Sequence, residues 1–209
     1  MRYKKKGDTY LSYSPLDKEH FSTYSVGYAI SDHIAINSGL KSFGGSKLFD
    51  NYVWDNELVV YNKWRKIFYP SINFGVGFGE LDKHKEHYDL NIRRLSIVPS
   101  FGMSNDFFDL ALSARFSKVN YDLHLANNIP SDSERYYDFQ DVGKKSFYFV
   151  EPALTAGIGY KIIKFRGQYV LAEKLDRNHI NYYKDPNIII SANLTLNIYD
   201  LMEGKNPFD

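Results

Sequence analysis

The sequence predicts an all-β protein: a transmembrane up-and-down antiparallel β-barrel, with ten strands preferred and eight as the runner-up. Three observations predict it. Apolar residues alternate with small or polar ones at period two along most of the chain. The links between these stretches are alternately short and long. The non-apolar face carries Gly, Ser, Ala, Asn and Thr with isolated charges, not the dense Lys and Glu of a water-facing sheet.

Each element follows in chain order. Thr9 to Ser14 reads as a first strand. Tyr24, Val26, Tyr28 and Ile30 form the next apolar stripe. Ile34, Ile36 and Leu40 form another, after a short Ser31-Asp32-His33 turn. Trp54 to Trp64 is a strand of ambiguous facing, because Leu58 and Val60 oppose Val59 and Tyr61. The clearest strand follows. Phe68, Pro70, Ile72, Phe74, Val76 and Phe78 point one way, and Tyr69, Ser71, Asn73, Gly75, Gly77 and Gly79 the other. Further apolar stripes are Leu95 to Met103, Phe108 to Phe116, Tyr148 to Tyr160, Ile163 to Leu171 and Ile188 to Ile198, taken every second residue. Pro70, Pro99 and Pro152 fall within these stripes and point to local bulges, since proline cannot donate to a central ladder.

Short links fall near 31–33, 65–66, 104–106 and 161–162. Long polar links fall near 15–20, 44–53, 80–91, 118–146 and 174–186. This is the alternation of a meander with tight turns at one end and loops at the other. Six alternate apolar positions span about eleven residues. At about 3.3 Å per residue, tilted roughly 40°, they rise about 28 Å, against an outer-membrane apolar band of about 25 Å. Arg93, Lys118 and Glu173 are in phase with the apolar residues but lie at the long-loop ends, within reach of water. Tyr28, Tyr148, Tyr160 and Tyr169 suit interfacial girdles. An even strand count puts both termini at the tight-turn, periplasmic end. Residues 1–7 are then a periplasmic lead-in, 8–199 one barrel domain and 200–209 a periplasmic tail.

Composition narrows the function classes. The 209 residues carry 26 Lys+Arg and 25 Asp+Glu, a net charge of +1, which argues against a general nucleic-acid binder. Mean hydropathy is -0.42. The longest unbroken apolar runs are four residues, such as Phe147 to Val150, far below the roughly 20 that a spanning helix needs. With no cysteine, disulfides and Cys-ligated metals are excluded for this chain. The stretch Met1-Arg2-Tyr3-Lys4-Lys5-Lys6-Gly7 has a charged start with no apolar run behind it. Such a start means either a cytosolic protein or a removed targeting segment, and the barrel pattern selects the second.

Four segments carry a resemblance: Lys5-Lys6-Gly7-Asp8 leading into Tyr10-Leu11-Ser12-Tyr13, then Tyr28-Ala29-Ile30-Ser31-Asp32-His33-Ile34-Ala35, Phe74-Gly75-Val76-Gly77-Phe78-Gly79, and Ala156-Gly157-Ile158-Gly159-Tyr160. Together they resemble the small outer-membrane β-barrel proteins, often lipoproteins, common in Bacteroidota. The resemblance spans about Lys4 to Tyr199 at the level of pattern. It implies fold and location, and it supplies no catalytic residues. Such proteins usually carry an export signal, often with a lipidated cysteine, so the resemblance implies a mature or trimmed chain.

Three constellations are candidates for chemistry. Counted from their tight turns, Arg94, Arg115 and Glu151 lie at similar height on consecutive strands. They are expected to form a linked ion cluster in the lumen, either filling it or, with Lys164 and Arg166, lining a plug or narrow selectivity element with net positive charge. The loop from Glu80 to Asn91 brings Asp82, His84, His87 and Asp89 to the outer rim, a weak candidate for a hydrolytic dyad or metal site. The long loop from Lys118 to Ser146 presents Tyr121, Tyr136, Tyr137 and Phe139 among polar residues, a contact surface for a partner or glycan, or a loop packed on itself. No nucleotide-binding, nucleophile-elbow or zincin motif is present, and the Gly75–Gly79 run sits on a strand where glycine serves packing.

The expected function is a non-enzymatic integral protein of the bacterial outer membrane. It scaffolds, or binds a partner through extracellular loops, as an accessory subunit of a larger complex in one form. The alternatives are a rim hydrolase, a narrow channel or transporter, and a soluble ligand-binding barrel. No cofactor and no metal are expected. The expected partners are outer-membrane lipid and other outer-membrane proteins or a surface ligand.

Overall fold

The computed structural model describes residues 5–14, 21–43, 51–65, 67–83, 88–125, 146–160, 163–171, 173–174, 187–197 and Met202. For residues 21, 43, 81–83, 88–89, 123–125, 173–174 and 187–197 it describes the backbone alone. The architecture is all-β: a curled antiparallel sheet. Its strands are β1 (Asp8–Ser14), β2 (Phe21–Ala29), β3 (Ile34–Phe43), β4 (Asn51–Tyr61), β5 (Phe68–Lys83), β6 (Tyr88–Ser104), β7 (Phe108–Leu125), β8 (Ser146–Tyr160), β9 (Ile163–Val170), β10 (Glu173–Lys174) and β11 (Asn187–Asn197).

Each strand from β1 to β8 pairs with the next one. β9 pairs also with β11, and β11 with β1. β10 continues the ladder of β9 along β8 in unchanged register, Glu173 facing Val150 after Val170 faces Ala153. Following the pairings from β1 through β9 and β11 therefore leads back to β1. No described helix is long and apolar enough to cross a membrane.

The two faces of the sheet differ as the alternation predicts. Ile72, Phe74, Val76 and Phe78 are exposed on one face, while Gly75, Gly77 and Gly79 are buried on the other. Leu95, Leu112, Ile158 and Phe165 are each at least 60% exposed. Among the described residues no large side chain is less than 2% exposed, so the apolar residues largely face outward. The inner face holds the polar groups and a small apolar cluster of Tyr10, Ala29, Ala35, Val59 and Tyr61 at the tight-turn end.

Several expectations need correction. The strand around 54–64 runs from Asn51 to Tyr61, and Trp64 lies in the following turn. Its facing is now defined: Trp54, Leu58 and Val60 are exposed, while Val53, Val59 and Tyr61 are buried. The links after β5 and β7 are shorter than the polar sequence suggests, because β5 runs to Lys83 and β7 to Leu125. The prolines make no bulges. Pro70 pairs with Phe101 and Pro152 with Ala114 in continuous register. At Pro99 the β6–β7 ladder skips from Ile97–Phe116 to Ser100–Ser113 and resumes without a slip. Two rungs are lost there, as expected where a backbone N–H is missing.

Candidate functional site

Inward-pointing charges come together from neighbouring strands and from strands two or three apart. Arg115 on β7 places Nη2 3.7 Å from Glu57 Oε1 on β4 and Nη1 3.8 Å from Glu151 Oε2 on β8. β4 and β7 are three strand spacings apart, about 14 Å on a flat sheet, so the bridge needs curvature toward this face. Arg94 on β6 pairs with Asp55 on β4 across the intervening β5. Gly77 makes this possible: a Cβ there would overlap the Asp55 carboxylate and come within 3.3 Å of Arg94 Cβ. Lys41 on β3 faces the same group of charges, within electrostatic reach of Arg94, Arg115, Asp55 and Glu151. Asn37 and Asn73 donate their amide N–H groups to Glu57 Oε2 at 3.4 and 2.9 Å, fixing it from two sides.

A second cluster sits nearer the tight turns. Asp109 on β7 accepts from Lys164 Nζ at 2.6 Å and from Arg166 Nη2 and Nε at 2.6 and 2.8 Å. The Ser104 hydroxyl also donates to it. Lys164 reaches on to the Asn105 carbonyl. All three charged side chains are at most 10% exposed. Gly157 lets Arg166 cross β8, since a Cβ there would stand 2.7 Å from Arg166 Cγ. The Arg166 guanidinium lies 5.6 Å from the centre of the Tyr10 ring, which ties this cluster to the apolar one.

The five expected lumen charges thus all point inward but form two groups. Arg115 and Glu151 meet as expected. Arg94 is near enough to feel Glu57 and Glu151, yet its ion pair is with Asp55. Lys164 and Arg166 belong to the Asp109 clamp instead. The expected net positive lining is also corrected. Lys41, Arg94, Arg115, Lys164 and Arg166 are balanced by Asp8, Asp55, Glu57, Asp109 and Glu151 among the described residues. Asp55 and Glu57 escaped the sequence reading because the facing of β4 was open. The signal available was their period-two phase with Val53, Val59 and Tyr61.

Between the two groups lies a cavity of about 60 Å³ lined by Asn37, Val59, Tyr61, Tyr69, Ser71, Asn73 and Ser100, space for a few waters. Below it Tyr61, Val59, Ala35, Ala29 and Tyr10 are buried together. Toward the other end Val53, Val119 and Phe147 are buried.

The other candidates fare differently. Asp82 and Asp89 face each other as backbone partners in the β5–β6 ladder, not in a loop, and His84 and His87 lie outside the described residues. Among the described residues no three metal-ligating side chains converge. Tyr121 is a strand residue whose ring packs edge-on against Phe147 at 5.4 Å. It belongs to the inner wall, not to an exposed loop. Tyr136, Tyr137 and Phe139 lie outside the described residues. Tyr148, Tyr160 and Tyr169 are exposed on the outer face, whereas Tyr28 is half-buried. In comparisons with protein-family models and with curated proteins, nothing matches this chain.

Proposed function

We propose that the chain is an integral outer-membrane protein: a closed ten-stranded up-and-down barrel, β9 and β10 counting as one strand, with its tight turns in the periplasm. One observation carries this reading. The sheet is inside-out relative to a water-soluble protein, with Leu, Ile, Val and Phe outward and ten charged groups inward. In water such an outer face costs about 25 cal/mol for each Å² left exposed. In hydrocarbon it costs nothing, and closure leaves no unpaired sheet edge in lipid.

Function then falls to the long links. The interior charges neutralise one another, and a barrel of about this size is filled by its own side chains where porins need sixteen strands. We read the protein as a non-enzymatic scaffold or partner-binding protein of the outer membrane, acting through links such as 126–145, with a larger envelope complex as its setting. The test of the barrel is gel mobility in SDS before and after boiling, from mild detergent. A heat-dependent shift is expected, and no shift together with full solubility lacking detergent would refute it. The test of the binding role is native-gel size in membrane extracts. Replacing residues 126–145 by a short Gly-Ser link should release the protein from a larger complex, and an unchanged size would refute that role for this link.

A further inference from the structure

We infer that the β4–β5 turn is a headgroup site for anionic phospholipid. The described residues of the turn, Asn62, Lys63, Trp64, Arg65 and Ile67, are all exposed. Trp64 is 56% exposed and Ile67 41%. The turn is held tightly, for the backbones of Trp64 and Phe68 exchange hydrogen bonds of 2.8 and 3.0 Å. Arg65 sits at φ 51°, a left-handed conformation uncommon for a residue with a side chain.

Two features of the turn point to one occupant. The first is a run of rings. Trp64 lies 6.1 Å from Phe68, and Phe68 stacks on Phe101 at 5.7 Å, so the aromatic surface passes from the turn onto the apolar outer wall. The second is unneutralised positive charge. The Arg65 guanidinium rests 5.3 Å from the centre of the Trp64 ring. Neither Lys63 nor Arg65 has a carboxylate partner among the described residues. The other described tight turns are built otherwise: one carries Asp32 and the other Asp106.

Indole at the edge of the hydrocarbon, with cations just outside it, matches a phospholipid whose headgroup is negative. A soluble phosphate would use the cations but gain nothing from the Trp64–Phe68–Phe101 run. The lipid engages both, its chains on the wall and its phosphate at Lys63 and Arg65.

This inference rests on the membrane-barrel reading, and the two tryptophans separate the two. Trp54 lies on the outer face of β4, ten residues before Trp64 and toward the long-link end. Single-tryptophan proteins, Trp64→Phe and Trp54→Phe, are refolded into vesicles containing brominated phosphatidylcholine or brominated phosphatidylglycerol at equal fraction. Trp54 should be quenched equally by both lipids. If neither tryptophan is quenched by either lipid, the barrel reading fails and this inference with it. With Trp54 quenched, Trp64 should favour phosphatidylglycerol by about twenty-five-fold in relative association constant. Lys63→Gln with Arg65→Gln, both in a Lys66→Gln background, should remove most of that preference, about fivefold for each cation, equivalent to about 1 kcal/mol each. Equal quenching of Trp64 by both lipids, or a preference that survives the double variant, would overturn the headgroup site while leaving the barrel intact.

Discussion

Replacing Asp109 by Asn should be among the most damaging single changes in the curled sheet. Asp109 holds both Lys164 and Arg166 in ion pairs of 2.6 Å. Both cations are under 10% exposed along their side chains, so neither can recover full hydration by a small movement. Asn keeps the shape and one acceptor but removes the carboxylate that both buried cations share. Removing one partner of a buried ion pair typically costs about 3–5 kcal/mol, roughly a hundredfold to several thousandfold in the unfolding constant. The assay is the fraction of folded, fast-migrating band in unboiled SDS gels after equilibration in increasing urea at fixed detergent. Lys164→Met alone should cost less, because Arg166 still holds the carboxylate through two hydrogen bonds. The triple variant Asp109→Asn, Lys164→Met, Arg166→Met should recover most of the loss, since it also removes the two buried cations that the carboxylate serves. A cost below about 1 kcal/mol for Asp109→Asn, or a triple variant as unstable as the single, would refute this account.

Other outcomes follow from the same geometry. Phe74→Arg, on the exposed face in the middle of β5, should cost about 2–4 kcal/mol in a bilayer and almost nothing if that face met water; urea titration of vesicle-inserted protein decides. Gly77→Val should break the Arg94–Asp55 pair by overlap with the Asp55 carboxylate and lower the urea midpoint clearly, whereas Gly167→Ala, with nothing within 4 Å of the added Cβ, should leave it unchanged. In planar bilayers the wild-type protein should show no steady conductance. Glu57→Ala, Arg115→Ala and Glu151→Ala together should remove the mid-barrel bridges and raise the frequency of small current steps.

The faces of most strands were legible because outer and inner positions differ sharply in polarity. The strand β5 is the extreme case, with Phe and Ile opposite Gly, Ser and Asn. The facing of β4 was illegible for a physical reason. At the tight-turn end the interior is itself apolar, so Val59 and Tyr61 inside resemble Leu58 and Val60 outside. The strand ends toward the long links were missed for the opposite reason. There β5, β6 and β7 keep pairing through Asp82, Asp89 and Asp122, in polar sequence that reads as loop. Counting residues from the turns gave Arg94, Arg115 and Glu151 a similar height, but could not tell which neighbour each would reach. Register settles that: Arg115 faces Glu151 directly, while Arg94 faces Gly77 on one side and Val119 on the other. The Arg94–Asp55 and Arg115–Glu57 contacts join residues 39 and 58 positions apart, a separation that no local pattern encodes.

The bridge from Arg115 to Glu57 also bears on how such a chain could assemble. It spans β4 to β7, so it cannot exist in a flat sheet or in any hairpin alone. Until the sheet bends, Arg94, Arg115, Lys41 and their carboxylates need water, and a half-made sheet lying in lipid would bring bare charge into hydrocarbon. On the membrane reading proposed above, curling and insertion are thereby coupled. The meeting of Arg115 with Glu57 therefore marks the bent sheet, in which the charges of β4, β6 and β7 face one another across the concave side.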